Sequence, residues 1–179
     1  MKRLIAVLCG SSLCFLFGCQ QQDQQALKQI QDNIKIAKDA ASSGFTQHDT
    51  AKAASYYTDD AISTDYAFPK PDTGKAAIQQ RIQQFITAFP EGKLEFEGEV
   101  AHGDMVTLRW RGTGTNTGPF MGGPPTNKAV EVHGATVSQI ANGKITREWI
   151  YWDMGNFMRQ LGMMPQPGEP ASAKKQMKK

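Results

Sequence analysis

Past residue 19 the 179-residue chain has no cysteine: its three are Cys9, Cys14 and Cys19. Everything that follows them is therefore without a disulfide and without a thiolate site. No group of His, Cys and carboxylates stands at metal-ligand spacing. No Ser or Cys nucleophile motif is present. Gly112-Thr113-Gly114 sits in a strand pattern with no helix after it, so it is not a phosphate cradle. Basic residues are also scarce where they would count. Of 20 Lys and Arg, six (Lys2, Arg3, Lys174, Lys175, Lys178, Lys179) lie at the two ends, which leaves 14 against 17 acids. The middle of the chain is mildly acidic, has no basic stripe interleaved with aromatics, and is not a nucleic-acid binder. Uninterrupted hydrophobic runs are short too. Leu4 to Phe17 is broken by Gly10, Ser11 and Ser12 and is too short for a typical membrane span.

What is there begins with an address. Met1-Lys2-Arg3 followed by the apolar run reads as a signal peptide. Leu16-Phe17-Gly18-Cys19 resembles a bacterial lipobox, with Phe17 where a smaller residue is commoner. The resemblance implies cleavage before Cys19 and lipidation of its thiol, with several acyl chains holding the chain stably to a membrane. With Gln20 after the cysteine it implies outer-membrane sorting and a domain facing the periplasm. The expected organisation is a signal peptide over 1–18, the lipidated Cys19 and a polar tether over 19–25, a folded domain over 26–164, and a disordered Lys-rich tail over 165–179.

Within the domain, hydrophobic periodicity sets the elements. Leu27, Ile30, Ile34, Ala37 and Ala41 recur at helical spacing, and Ser43-Gly44 closes that run. Asp49 is placed to N-cap a second short helix. Ala61–Asp65 is a brief strand. Ile78, Ile82, Phe85, Ile86 and Phe89 form one stripe of an amphipathic helix that Pro90 ends. The period then switches to two. Leu94, Phe96 and Val100 alternate with glutamates; Val106, Leu108 and Trp110 alternate with Thr107, Arg109 and Arg111; Val130, Val132, Thr136 and Ile140 follow. Asn142-Gly143 is a hairpin signal leading into Lys144–Asp153. Helices followed by consecutive antiparallel strands predict an α+β fold with helices packed on one face of a curved sheet.

The stretch with most chemistry in it is Trp149-Ile150-Tyr151-Trp152-Asp153. Strict alternation puts Ile145, Arg147, Trp149, Tyr151 and Asp153 on one face, an acid among large aromatics. Asp153 is also placed to cap the helix that begins at Met154. His133, on the neighbouring strand, is the nearest candidate partner for the acid, although its parity groups it with Glu131 and opposite Val130 and Val132.

The residues Gly103-Asp104, Arg109-Trp110, Gly114-Thr115, Gly118-Pro119-Phe120-Met121-Gly122, Pro125-Thr126-Asn127-Lys128, Gly143-Lys144-Ile145, Trp149, Asp153 and Gln160-Leu161-Gly162 follow one another in order. The series resembles the SnoaL-like polyketide cyclase (ester cyclase) family of the nuclear transport factor two-like superfamily, over roughly Phe45 to Met164. The resemblance implies a bent sheet around a cone-shaped cavity closed by helices, and self-association through the sheet's outer face. It implies Asp153 as acid/base of an aldol closure with no cofactor or metal; His133 is its expected partner if that face of the strand is inward. Trp110, Asn116, Arg147, Trp149 and Tyr151 are then expected to line the cavity. Asn116 stands where the family often has His, and Arg147 where it often has Glu; Arg147 beside Asp153 would lower its pKa. Three readings follow: a cofactor-free cyclase or isomerase of a small carbonyl compound, a module that binds an apolar small molecule at a membrane, and an interaction domain. The fold by itself does not choose among them.

Overall fold

A computed structural model describes residues 12–168, with side chains described from residue 22. Four helices and six strands follow in order: α1 (Ser12–Phe45), α2 (Thr50–Ser55), β1 (Tyr57–Asp65), β2 (Asp72–Thr73), α3 (Lys75–Ala88), β3 (Lys93–His102), β4 (Met105–Thr115), β5 (Ala129–Ala141), β6 (Lys144–Trp152) and α4 (Met154–Gln160). The strands form one open sheet in the order β2-β1-β6-β5-β4-β3. All neighbours are antiparallel except β1 and β6, which run parallel. The fold is α+β, a curved sheet with helices on one face, as the alternation of periods predicts.

Local chemistry explains most boundaries. Asp49 caps α2 by accepting from Lys52 N at 2.9 Å. Asn142 and Gly143 both have positive φ, 51° and 73°, which suits the tight turn between β5 and β6. Pro90 follows α3, whose Ile78 and Ile82 are buried. The first helix differs from expectation. Residues 20–25, read as a tether, are helical, and α1 runs on through Ser43-Gly44 to Phe45. Its described residues 22–29 are exposed, and packing begins near Ile30 and Asn33. The signal-peptide run lies largely outside the described residues, and so does the tail from residue 169. No helix among the described residues is long and apolar enough to cross a membrane.

Two single-residue bulges, beside a longer register shift between Tyr57 and Ile62 of β1, control which side chains face inward. In β3, Phe96 pairs with Trp110 but Gly98 pairs with Arg109, so Glu97 is one residue too many. Period-two alternation therefore breaks, and Val100, expected beside Leu94 and Phe96, is turned out and 74% exposed. In β6, Ile145 pairs with Ile140 and Arg147 with Gln139, which leaves Thr146 as the extra residue. Its hydroxyl donates to Gln139 O at 3.2 Å. Past this bulge the parity is reversed: Ile145 stays in the core, but the inward residues are Glu148, Ile150 and Trp152.

The helices cover the concave face in two packed regions. One joins Ala37, Ala40, Ala53, Tyr57, Ile78, Ile82, Val106, Leu108, Ile140 and Ile145. The other joins Ala88, Phe89, Phe120, Val130, Phe157 and Leu161. Residues from both regions line one cavity beneath the helices.

Candidate functional site

The cavity has a volume of about 170 Å³ and a predominantly apolar wall. One end is aromatic. Phe85 lies 6.3 Å from Trp152, Phe89 5.6 Å from Phe157, and Trp152 5.2 Å from Phe157, ring centre to ring centre. These near-perpendicular and tilted contacts are the favoured arrangements for ring pairs. Trp110 forms part of the floor and donates its Nε1 to Thr136 Oγ1 at 3.0 Å. Gly134, paired with Trp110 across the sheet, makes room for the indole: a Cβ there would stand 2.4 Å from Trp110 Cζ2.

The polar groups gather on β1, β6 and β5. Sheet register puts Ser63, Glu148 and Ser138 in one row, each serine directly opposite the glutamate. Cross-strand neighbours on one face interact most strongly when directly opposite. Ser63 Oγ donates to Glu148 Oε2 at 3.2 Å, Ser138 Oγ to Oε1 at 3.4 Å, and Tyr57 Oη lies 3.2 Å from both oxygens. Glu148 is 8% exposed. Burial pushes its carboxyl up to about 7, against the pull of the three hydroxyls, and the nearby charge of Asp65 adds to the push. Burial, then the charge of Glu148, holds the Tyr57 phenol well above its ordinary range.

Asp65, the last residue of β1, is the second acid on this wall. Its carboxylate accepts from Trp152 Nε1 at 2.9 and 3.1 Å and from Ala67 N at 2.9 Å. Burial raises its pKa, and these two N–H donors oppose the rise. Beside Asp72, which is paired with Arg81, the cavity thus offers two carboxyl groups in an apolar surround, both with pKa values raised by burial.

Of the residues expected at the site, the structure brings one to the cavity, Trp110. Asp153 does not face it. Its side chain is 67% exposed and caps α4, accepting from Asn156 N at 2.7 Å. Its ion-pair partner is Arg159 at 4.0 Å rather than Arg147. The β6 bulge is the cause: Arg147, Trp149 and Tyr151 occupy the other face, with Arg147 and Tyr151 exposed and Tyr151 stacked on Tyr66 at 4.8 Å. His133 is also on that face, 56% exposed, beside Glu97 at 3.1 Å and Glu131 at 3.5 Å. Asn116 is fully buried but pins a loop. It donates to Ala88 O and Gly118 O, and accepts from Thr126 N and Oγ1. Cys19 falls within α1, and its side chain is outside the described residues.

Sequence reasoning missed Asp65 and Glu148. The alternation Ala61, Ser63, Asp65 was available for the first, and no signal pointed to the second. Among the described residues no three His, Cys, Asp or Glu side chains come together as a metal site.

The family model for SnoaL-like polyketide cyclases matches residues 35–161, so the chain belongs to that family. Comparison with curated proteins finds no match. Several solved structures share the fold. A SnoaL-like polyketide cyclase candidate from Jannaschia sp. CCS1 superposes with a TM-score of 0.69 at 20% identity, covering 75% of this chain and 94% of that one. AclR, a hydroxylase candidate from Streptomyces galilaeus, gives 0.66 at 23% identity, covering 76% and 99%. A protein from Catenulispora acidiphila with a ketosteroid isomerase-like fold, solved with trimethylamine, gives 0.62 at 18% identity, covering 75% and 97%. At these identities the likeness establishes the shared fold. Family membership suggests a cyclase or isomerase type of function, and members of the family bind small-molecule substrates.

Proposed function

We propose that this SnoaL-like chain binds a small carbonyl compound in its cavity and cyclises or isomerises it by proton transfer, with Asp65 as the base. The observation that carries the reading is the carboxylate of Asp65 on a mostly apolar, aromatic wall, oriented by the Trp152 and Ala67 N–H groups. Asp65 would take a proton from the carbon next to a carbonyl. The C–H electron pair becomes the enolate double bond, and the carbonyl π pair moves to oxygen. Glu148, poised near neutrality, provides a donor for that oxygen when it is protonated. In a cyclisation the enolate carbon then attacks a second carbonyl, and the alkoxide takes the proton from Asp65. In an isomerisation the same proton returns to a different carbon. Such chemistry asks for no redox or electrophilic cofactor.

The test is solvent deuterium exchange into a panel of small ketones, followed by mass spectrometry. Asp65→Asn is expected to lose about 10²-fold or more of the exchange rate, the usual worth of a positioned base, while Asp153→Asn keeps it. An Asp65→Asn variant as fast as wild type would overturn the assignment. A second reading, binding without turnover, is favoured by the protein donors that both carboxyl groups already have. It predicts saturable binding with no exchange.

The address is part of the proposal. Cys19 carries the lipid, and the chain sits on the periplasmic side of an outer membrane. The helical span from Cys19 to Ile30, where packing starts, would hold the domain about 16 Å away at 1.5 Å per residue. Membrane association that persists in Cys19→Ala would exclude this anchor. The outer sheet face, with Val100 and Tyr151 exposed, is where a second copy would dock.

A further inference from the structure

We infer that the cavity accepts an uncharged molecule of a single ring, with its oxygen-bearing edge against Tyr57, Asp65 and Glu148, and excludes fused multi-ring compounds and carboxylates. The inference rests on the preceding reading for its chemistry, but not for the binding itself.

Size comes first. A dry protein cavity of about 150 Å³ holds benzene. At about 170 Å³ this cavity has room for one ring with a short substituent, on the order of seven to ten non-hydrogen atoms. Sites for drug-sized ligands begin at roughly 300 Å³. The walls give little scope for expansion from within, since the rings of Phe85, Phe89, Trp152 and Phe157 already pack on one another.

Charge comes second. Three carboxyl groups line the cavity: Asp65, Asp72 and Glu148. The basic side chains on the lining are directed elsewhere. The Arg81 guanidinium is held by both oxygens of Asp72, at 3.0 and 3.3 Å, and lies 4.2 Å over the Phe68 ring. Lys93 is exposed at the rim. His48 directs its Nε2 to Gly92 O at 2.9 Å. An anion entering the apolar interior would lose its hydration and meet Asp65 and Glu148, while the nearest cation, Arg81, whose charge reaches Asp65, is already paired with Asp72.

Polarity within the cavity then fixes the orientation. Hydroxyl and carboxyl groups are concentrated on the wall built by β1, β6 and β5, which meets the ring-packed end where Asp65 accepts from Trp152. A ring bearing a carbonyl or hydroxyl gains polar as well as apolar contacts only when its oxygens face Glu148 and Asp65.

Quenching of tryptophan fluorescence reads this directly, because Trp110 and Trp152 are on the cavity wall. The probes are acetophenone, 2-hydroxyacetophenone, benzoate and 1,8-dihydroxyanthraquinone, titrated into the full chain at pH 7.5, with calorimetry as a second measure. The two ketones are expected to bind at least tenfold more tightly than benzoate or the anthraquinone, and benzoate should recover at least threefold in Glu148→Gln. Equal or tighter binding of the anthraquinone or of benzoate overturns the inference, as does failure of every probe to saturate. Ketone binding without proton exchange would sink the proposed catalysis and leave this assignment standing. Turnover of a multi-ring ketone would do the reverse.

Discussion

Replacing Glu148 by Gln should change how stability depends on pH, because this carboxyl ionises within a buried site. Its folded pKa is about 7 against an ordinary 4.5. A shift of this size corresponds to about 3 kcal/mol, at 1.36 kcal/mol per unit. The sign follows from proton binding. Between pH 4.5 and 7 the folded chain keeps a proton that the unfolded chain has released, so stability falls as pH rises through that window. Below the window there is no penalty; above it the penalty is complete and constant. The amide in Glu148→Gln does not titrate, so the variant should lack this part of the slope. Rearrangement of the hydroxyls of Tyr57, Ser63 and Ser138 around an amide adds an offset that is independent of pH. Asp65 titrates in both proteins. Urea unfolding at half-unit steps from pH 4.5 to 8 is the assay. Wild type should lose about 3 kcal/mol more than Glu148→Gln across the range, equivalent to roughly 6–12 °C in Tm for a domain of this size. Parallel profiles would refute the argument, since they would mean that Glu148 carries no buried-charge penalty.

Three further outcomes test the placement of other residues. Asp153→Ala should cost about 1 kcal/mol of unfolding free energy, the worth of an N-cap, and leave deuterium exchange unchanged. Loss of exchange with unchanged stability would return Asp153 to the chemistry. Gly134→Ala should destabilise by roughly 1–3 kcal/mol through overpacking, because the added carbon meets Trp110 Cζ2 and Cη2 at 2.4 and 2.6 Å and Tyr151 O at 2.7 Å. A change below about 0.5 kcal/mol, the scale of a neutral surface substitution, would mean that the indole is not held there. Deleting Thr146 should be tolerated far better than deleting Trp149, as judged by urea midpoints: the first removes the extra residue, whereas the second turns Ile150 and Trp152 out of the cavity. Equal midpoints for the two deletions would contradict the pairing described.

Elements defined by several repeats of one period were legible in the sequence. The stripe Ile78, Ile82, Phe85, Ile86 and Phe89 needs three turns of helix to make sense, and no single residue can reverse it. The inward set Val106, Leu108 and Trp110 on β4 was equally secure, since every β5 partner from Met105 to Thr115 is in unbroken register. Asp49 and Asn142-Gly143 carried their own local chemistry, a side-chain cap and two positive φ angles, so their roles did not depend on distant packing.

The candidate site was less legible because one single-residue event on β6 decides it. Alternation carries a binary choice from one residue to the next, so one bulge inverts every assignment beyond it. Counting by twos from Ile145 leads to Asp153, whereas counting by twos after Thr146 leads to Glu148 and Trp152. Nothing in the composition of Lys144–Trp152 marks Thr146 as the extra residue. It becomes one because Ile140 and Ile145 both pack in the core while Ser138 and Glu148 must face each other. A glutamate is also among the residues least often buried, so an unpartnered reading of the sequence assigns it to solvent. What offsets that burial is three hydroxyls from Tyr57, Ser63 and Ser138, on β1 and β5, up to 91 positions away in the chain. Glu148 becomes an interior acid only once β1 lies parallel to β6 with Ser63 opposite it, so the chemistry of this cavity depends on a strand pairing that no local motif announces.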